Sequence, residues 1–436
     1  MSNYKKLGRN IVIMTIGNFG SKVLSFLFVP LYTAILTTAE YGISDLITTT
    51  VSLCFPFFTL IISEPLLQFS LKNETDISKI WIAGLNVWVM GTIGMLACSP
   101  IIFFTPLKDY YFFVIGYYIV YSMYNCLSYF IRGLNKVFIF SLAGIVNTFF
   151  MIALNIIFLI VIKIGILGYL LSNIISCFVA CVFIIVFGGI YKYGFNILRV
   201  DKGLRRKMLS YSIPMIPNSI SWWIANASDR YILTMFSGLT AAGIYAVAYK
   251  IPTIISTFSG IFNSAWRLSA NDDFGSESSC RFYEDIYSKL TVLLVCLSSA
   301  LIVINKPLAH FLFSNDFYTA WKCVPFLLLS ATFHSYADFF GTIYTTSFKT
   351  KYLFYSTVLG AATNIVLNLI LIPFWSGQGA AVATLLSYIV VWLFRVFHSR
   401  KILALKYNIK RDLFCYIVVF IQLIISELEM NSEIII

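Results

Sequence analysis

Ionisable residues inside apolar runs are the most informative side chains of this 436-residue chain, because each costs roughly 2.5–3.5 kcal/mol at the middle of a bilayer. Lys22 stands midway along the first apolar run, and Arg230 and Lys250 stand in later ones. Three such cations suit an anionic ligand, since arginine offers phosphate a bidentate fork and lysine a point charge. Asp45 and Glu64 lie toward the two ends of a single run, Asp229 adjoins Arg230, and Asp338 follows His334 by one helical turn. These residues are candidates for ion coupling or gating, and His334 with Asp338 is a pair able to respond to protons. Helix-end solvation and local ion pairing are the structural alternatives.

Polar residues also fall on single helical faces. Asp45, Thr49, Ser52, Pro56, Thr59 and Ser63 recur at steps of three and four, which places them on one side of a helix. About 200 residues later, Lys250, Thr253, Thr257, Gly260 and Ser264 form a second such face. Asn18, Lys22, Ser25 and Tyr32 mark a third, and Asn218, Trp222, Asn226 and Asp229 a fourth. Such faces either glue helices together or line a cavity, and the ionisable members favour the cavity. Asn18, Asn218, Trp222 and Asn226, with the tyrosine face of Tyr117, Tyr121 and Tyr124, are the residues expected to meet sugar rings. Packing and interface anchoring are the alternatives for the tyrosines.

The elements that must carry these residues follow from composition. Hydrophobic residues make up 59% of the chain and charged residues only 11%, with a mean hydropathy of +0.85. A soluble fold cannot hide that much apolar surface, and a β-barrel would show short alternating segments instead. The expected fold is an all-α polytopic membrane protein of about twelve spans, each taking about 20 residues. They are placed near 11–36, 41–66, 80–104, 110–131, 137–162, 165–188, 211–236, 241–265, 287–304, 323–347, 352–374 and 378–397. The first apolar run is too long for the core of a cleavable signal and is expected to be retained.

The net charge of +12 is topogenic on this reading. With the N-terminus in the cytoplasm, 24 of the 31 lysines and arginines, Arg132 and Arg395 among them, fall on the cytoplasmic side and four on the other. That asymmetry is the positive-inside rule, and it makes nucleic acid an unlikely partner. Nine cysteines show no metal or disulfide pattern, and Cys177 and Cys181 read as packing residues.

A shift of about 200 residues lays one half of the chain on the other. Ala39-Glu40-Tyr41-Gly42-Ile43 falls on Thr240-Ala241-Ala242-Gly243-Ile244, and Leu154-Asn155 and Leu170-Leu171-Ser172 answer Leu367-Asn368 and Leu385-Leu386-Ser387. The expected organisation is a six-helix lobe at 1–188, a basic cytoplasmic linker at 189–210 and a second six-helix lobe at 211–400. Residues 401–436 add a basic stretch and a short apolar segment at 413–426, whose crossing of the membrane the sequence leaves open. An even number of spans per repeat places the symmetry axis along the membrane normal, with substrate held between the lobes.

These residues resemble those of the Wzx-type polysaccharide flippases, in the multidrug/oligosaccharidyl-lipid/polysaccharide exporter superfamily. The resemblance rests on Pro30-Leu31-Tyr32-Thr33, Ala39-Glu40-Tyr41-Gly42 and Asp45-Leu46 in the first half. In the second half it rests on Tyr211-Ser212-Ile213-Pro214-Met215-Ile216-Pro217, Asp229-Arg230-Tyr231, Gly243-Ile244-Tyr245 and Tyr249-Lys250-Ile251. It covers about residues 5–400; one departure is Gln68-Phe69, where the family often has Arg-Phe. It implies translocation of an undecaprenyl-diphosphate-linked oligosaccharide from the cytoplasmic to the periplasmic leaflet of a bacterial inner membrane, for O-antigen or capsule assembly. It also implies alternating access around a central, often cationic cavity, for which Lys22, Arg230 and Lys250 are the candidates. No cofactor is expected beyond a coupling ion, H+ or Na+. Membrane lipids, a polysaccharide polymerase and a chain-length regulator are the implied partners.

A drug or cation exporter of the same superfamily is the alternative within transport, and the mixture of embedded acids and bases argues against its anionic cavity. A membrane polymerase or glycosyltransferase is the alternative from another class. The chain lacks a G-x-S-x-G, a phosphate-binding glycine loop and a His/Cys cluster, so no catalytic residue is assigned. Asp272-Asp273 could suggest a metal-bound diphosphate, but in a polar loop the pair reads as solvation.

Overall fold

The computed structural model describes residue 20 and residues 22–72, 76–272, 277–347, 349–403, 405 and 409–435. Among them the elements are helical, with no strand. Among the described residues six helices are long and apolar enough to cross a membrane, or seven if a bent pair counts as one span. The chain divides into two compact units. One holds 1–28 and 43–223, the other 29–42 and 224–436.

The first unit contains α2 (Thr38–Phe58, from Ile43 onward), α3 (Ser63–Lys72), α4 (Ile77–Cys98), α5 (Tyr111–Gly133), α6 (Val137–Asn155), α7 (Gly165–Phe187) and α8 (Lys202–Ser212). A short helix, α1 (Val29–Ile35), precedes them in the chain and belongs to the other unit. Thr37 and Glu40 start α2 with a capping box. The Thr37 amide donates to the Glu40 carboxylate at 2.8 Å, and the Glu40 amide donates to the Thr37 hydroxyl at 3.2 Å, so two orphan donors are satisfied reciprocally.

The run at 41–66 is not one helix. Leu60 and Ile61 take φ of 50° and 52°, and α2 and α3 meet at a bend of 57°. This corrects the continuous polar face expected from Asp45 to Ser63. Thr59 and Ser63 flank the bend and are buried, so only Asp45, Thr49, Ser52 and Pro56 share the straight helix. Gly91 of α4 receives the end of α2. A Cβ there would lie 1.8 Å from the Phe58 carbonyl oxygen.

The basic linker is docked on this unit. The Trp81 indole donates to the Gly194 carbonyl at 3.0 Å, and Arg205 donates to the Asn86 carboxamide at 2.9 Å. Leu204 and Met208 of α8 join the core of Ile62, Leu66, Trp81 and Phe130. Asp201 caps α8, and its hydrogen bond from the Leu204 amide holds its carboxyl below the usual range, with help from Gly203, Lys79 and Lys207.

The second unit contains α1, the start of α2, α9 (Ile216–Ala248, from Ile224 onward), α10 (Thr253–Asp272), α11 (Glu277–Val303), α12 (Asn305–Leu312), α13 (Val324–Thr346), α14 (Thr350–Ser399) and α15 (Ile409–Ile435). Helix α9 breaks at Gly238 (φ 80°, ψ 176°) and α14 at Ser376 (φ 48°, ψ −126°). The run at 241–265 is interrupted between Ala248 and Thr253. Lys250 therefore sits on a turn, ahead of the helical face of Thr253, Thr257 and Gly260, where continuity was expected. Helix α13 is buried along most of its length and packs against α10, α11 and both halves of α14.

The C-terminal apolar segment forms part of α15, which lies along α11. Tyr416 and Tyr287 hydroxyls meet at 3.0 Å, and Gln422 donates to Ser299 at 2.8 Å.

Replacing Gly91 by alanine is expected to destabilise the protein by about 1–3 kcal/mol, since the new methyl meets backbone rather than a movable side chain. Gly144 faces open space in α6, and alanine there should be neutral or stabilising. Thermal unfolding of the two variants in detergent checks the contrast.

Candidate functional site

A buried polar cluster in the second unit is centred on Asp229, whose side chain is 1% exposed. One carboxylate oxygen accepts from the Arg230 amide at 2.9 Å and from its guanidinium at 3.2 Å. The other accepts from the Tyr245 hydroxyl at 2.6 Å, with the Tyr249 and Thr384 hydroxyls each at 3.4 Å. Asn364 donates to Thr384 at 3.3 Å and accepts from Asn368 at 2.9 Å, and Ser228 lies 3.4 Å from its carboxamide oxygen. The Arg230 guanidinium also lies 4.7 Å from the centre of the Tyr249 ring.

Three spacings assemble this cluster. Tyr245 and Tyr249 are one turn apart, as are Asn364 and Asn368, and Asp229 adjoins Arg230. The breaks at Gly238 and Ser376 fold each helix back so that these pairs converge. An ionised carboxylate can be buried only with such donors. Tyr245 and Tyr249 entered the sequence reading only as motif residues and Asn368 only as a repeat residue, none of them as a site candidate, and Asn364 and Thr384 were not singled out. The matched repeat segments around Asn368 and Leu385 were the available signal.

Arg230 is thus tied to Asp229 and is 12% exposed. Lys250 is half-buried, with its ammonium 5.9 Å from the centre of the Tyr41 ring. His334 lies 3.9 Å from Asp338, and Arg395 approaches the same carboxylate at 4.0 Å. Arg395 is 2% exposed. Its guanidinium lies among α13 and α14, not in solvent.

In the first unit Lys22 is exposed and Asp45 half-buried. Trp223 donates to the Thr49 carbonyl and to the Ser52 hydroxyl, both at 3.1 Å. Tyr117 and Tyr121 form a tilted pair at 5.7 Å, Phe55 meets Tyr121 edge-on at 6.0 Å, and Tyr124 is partly buried on the same helix. Glu64 interacts with Arg132 and Tyr129, and the Arg132 guanidinium stacks on the Tyr129 ring at 4.0 Å. Glu64 therefore has a cationic partner that had been counted only as a topogenic charge. Asn218 is exposed and Trp222 half-buried. Asn18, Asp273 and the side chains of Asn226 and Asp272 lie outside what the structure describes. Among the described residues no group of three metal-ligating side chains occurs.

Comparison with known proteins places this geometry. The family model described as "Polysaccharide biosynthesis protein" matches residues 7–266. The chain belongs to that family. An uncharacterised membrane protein of Methanocaldococcus jannaschii is 24% identical over 422 residues, spanning 91% of this chain and 98% of the relative. The lipid II flippase MurJ, in an inward closed conformation, has a similar fold, with a TM-score of 0.68 and 15% identity. The match covers 98% of this chain and all of that one. An outward-facing multidrug-resistance MATE transporter of the MOP superfamily gives 0.62 at 14% identity, over 92% of this chain and 96% of the other. The protein is a multi-pass membrane protein with the helical fold expected from its sequence. These two solved structures with this fold are a flippase and a transporter.

Tyr245→Phe is expected to cost about 1–3 kcal/mol by removing the shortest hydrogen bond to a buried carboxylate. Asp229→Ala should cost more, about 3–5 kcal/mol, because it removes one partner of a buried ion pair and the acceptor that Tyr245 uses. Unfolding midpoints in detergent, ranked wild type, Tyr245→Phe and Asp229→Ala from high to low, are the check.

Proposed function

We propose that this protein moves an undecaprenyl-diphosphate-linked oligosaccharide repeat from the cytoplasmic to the periplasmic leaflet of a bacterial inner membrane. The repeat then enters O-antigen or capsule assembly. The observation that carries the reading is the combination of polysaccharide-biosynthesis family membership with a flippase-like fold over nearly the whole chain. Sugars need a polar path through hydrocarbon, while the prenyl chain can stay in lipid. Translocation proceeds by alternating access of two six-helix lobes, 1–188 and 211–400, joined by the linker 189–210, with the N-terminus in the cytoplasm.

Within this reading Lys22, Arg230 and Lys250 supply positive charge for the diphosphate. Tyr117, Tyr121, Tyr124, Asn18, Asn218, Trp222 and Asn226 present rings and carboxamides to the sugars. Asp45, Glu64, Asp229, His334 and Asp338 couple or gate, with H+ or Na+ as the ion. Asp229 is the strongest of these candidates, because its buried charge is shared among side chains from several helical segments. A polysaccharide polymerase and a chain-length regulator would act on the product.

Deleting and restoring the gene in its native host tests the proposal. The expected result is loss of surface polysaccharide, with complete lipid-linked repeat units stranded on the cytoplasmic face. Restoration with Lys22→Ala or Lys250→Ala should recover less than a tenth of wild-type polymer at normal protein levels. Complete units reaching the periplasm unpolymerised would point to a polymerase instead. Unchanged polysaccharide would redirect the search to drug or cation export.

A further inference from the structure

Arg132 stands in the last turn of α5, in the first unit, and its position is fixed while its donors are unspent. Its Nε donates to the Ser128 carbonyl at 3.3 Å, one turn back along the helix. The guanidinium carbon lies 4.0 Å from the centre of the Tyr129 ring and 4.9 Å from that of Phe140. The residue is half-buried, and among the described residues its terminal nitrogens meet no hydrogen-bond acceptor. The other arginines whose side chains are described as buried or half-buried spend theirs. Arg205 donates to Asn86, Arg230 to Asp229, Arg395 to Ala337 and Thr357, and Arg411 to Asp412.

Local sequence sets this geometry. Helical side chains lean toward the N-terminus of their helix, so Arg132 reaches back over Tyr129, three residues earlier. A snorkelling arginine does the opposite and extends past the helix end into water. Asn135, at φ 58°, turns the chain between α5 and α6, and Phe140 of α6 then lies against the guanidinium. Gly133 seats the turn on α3, where a Cβ would lie 2.7 Å from Ser70 Cβ and 3.0 Å from the Leu67 carbonyl oxygen.

Two neighbours set the local charge. Glu64 of α3 is in electrostatic reach of Arg132, but its side-chain hydrogen bond is with Tyr129. That carboxylate steadies the ring beneath the guanidinium and leaves the guanidinium fork open. Lys136 donates from its ammonium to the Gly188 carbonyl at 2.7 Å, so a second positive charge is fixed just beyond the same helix end. Arg132 and Lys136 together outweigh the one carboxylate. Both precede the helical run Val137–Val161, which is long and apolar enough to cross a membrane. The guanidinium, resting on Phe140 in the first turn of that run, is therefore near the depth at which a bilayer carries its phosphates.

We infer that Arg132 binds a phosphate oxyanion carried by a lipid, with Tyr129, Phe140 and Glu64 as its positioning residues. The terminal edge of a guanidinium presents two parallel N–H groups that match two phosphate oxygens. Rings on its flanks keep water from the charge and strengthen what the open edge can bind. This deepens the flippase reading, on which its physiological meaning rests: there the ligand is the diphosphate of the lipid-linked oligosaccharide, engaged at the membrane surface before the sugars cross. Lys22, Arg230 and Lys250 lie elsewhere along the path proposed above, and Arg230 is already paired.

Native mass spectrometry of the full-length protein released from phosphatidylcholine nanodiscs tests the site. Undecaprenyl diphosphate is the probe, undecaprenol its neutral counterpart, and phosphatidylglycerol the bulk-lipid competitor. The wild type should bind the diphosphate about tenfold more tightly than undecaprenol. Arg132→Gln should abolish that preference and leave undecaprenol binding unchanged. Arg132→Lys, which keeps the charge but not the fork, should fall between the two, and Phe140→Leu should weaken diphosphate binding about threefold. Equal diphosphate affinity in the wild type and Arg132→Gln would overturn the proposal. Equal losses for diphosphate and undecaprenol would also overturn it, since Arg132 would then serve the fold alone. Should Arg132→Gln not fold, Arg132→Lys and Phe140→Leu decide, and wild-type affinity in both overturns the site. Displacement of the probe by an equal amount of phosphatidylglycerol would support the site and assign it to bulk headgroups. Displacement only by a large excess would support it and assign it to the diphosphate lipid. The probes carry no sugar, so unchanged polysaccharide in the deletion strain would sink the flippase reading without deciding this one.

Discussion

A polar group withdrawn from water inside an apolar helix bundle must find its partners within the protein. The architecture of the second unit follows from meeting that demand twice. Asp229 needs donors, and they come from its own helix, from the segment after the Gly238 break and from the second half of α14. Arg395 needs acceptors, which come from α13 and the first half of α14. Each charge therefore fixes helical segments relative to one another more precisely than apolar packing would, because leucine and phenylalanine contacts tolerate sliding whereas hydrogen-bond directions do not. The same clusters also sit where a change of charge would be felt by several helices at once.

The first unit solves its packing differently. Its partly buried face carries aromatic rings and hydroxyls, and Trp223 uses its single donor on the Thr49 carbonyl and the Ser52 hydroxyl. Toward one end Glu64 lies within electrostatic reach of Arg132, whose guanidinium stacks on Tyr129. A surface of rings and hydroxyls suits sugars, which offer flat apolar faces edged by hydroxyl groups.

Much of this was legible in the sequence because lipid imposes a strong pattern on a chain. Apolar runs of span length gave most of the helices, and embedded charges gave Asp229, Arg230, His334 and Asp338. The breaks were harder to read. Leu60 and Ile61 are ordinary helix residues by type, and their positive φ values are imposed by tertiary contacts such as the close seat of Phe58 on Gly91. The inward contacts of Arg395 and Arg132 were not legible in the sequence for one physical reason. A basic residue near the end of an apolar run has the same sequence signature whether it reaches water or turns inward to a carboxylate. Only the partner distinguishes the cases, and that partner lies many residues away.

Gly42 and Gly243 add a constraint of another kind. The internal offset of 201 residues pairs them in sequence, and in the second unit they lie against each other. A Cβ on Gly42 would sit 2.3 Å from the Leu239 carbonyl oxygen, and one on Gly243 would sit 1.8 Å from that of Thr38. The start of α2 and the segment after Gly238 therefore touch backbone to backbone. Thr33 ties the preceding helix to the same unit by donating to the Leu312 carbonyl at 3.0 Å and accepting from the Ser314 amide at 3.2 Å. The junction is flanked by the buried side chains of Tyr41, Ala242 and Tyr245. Glycine is required at both places, because any larger residue at either would hold the backbones apart.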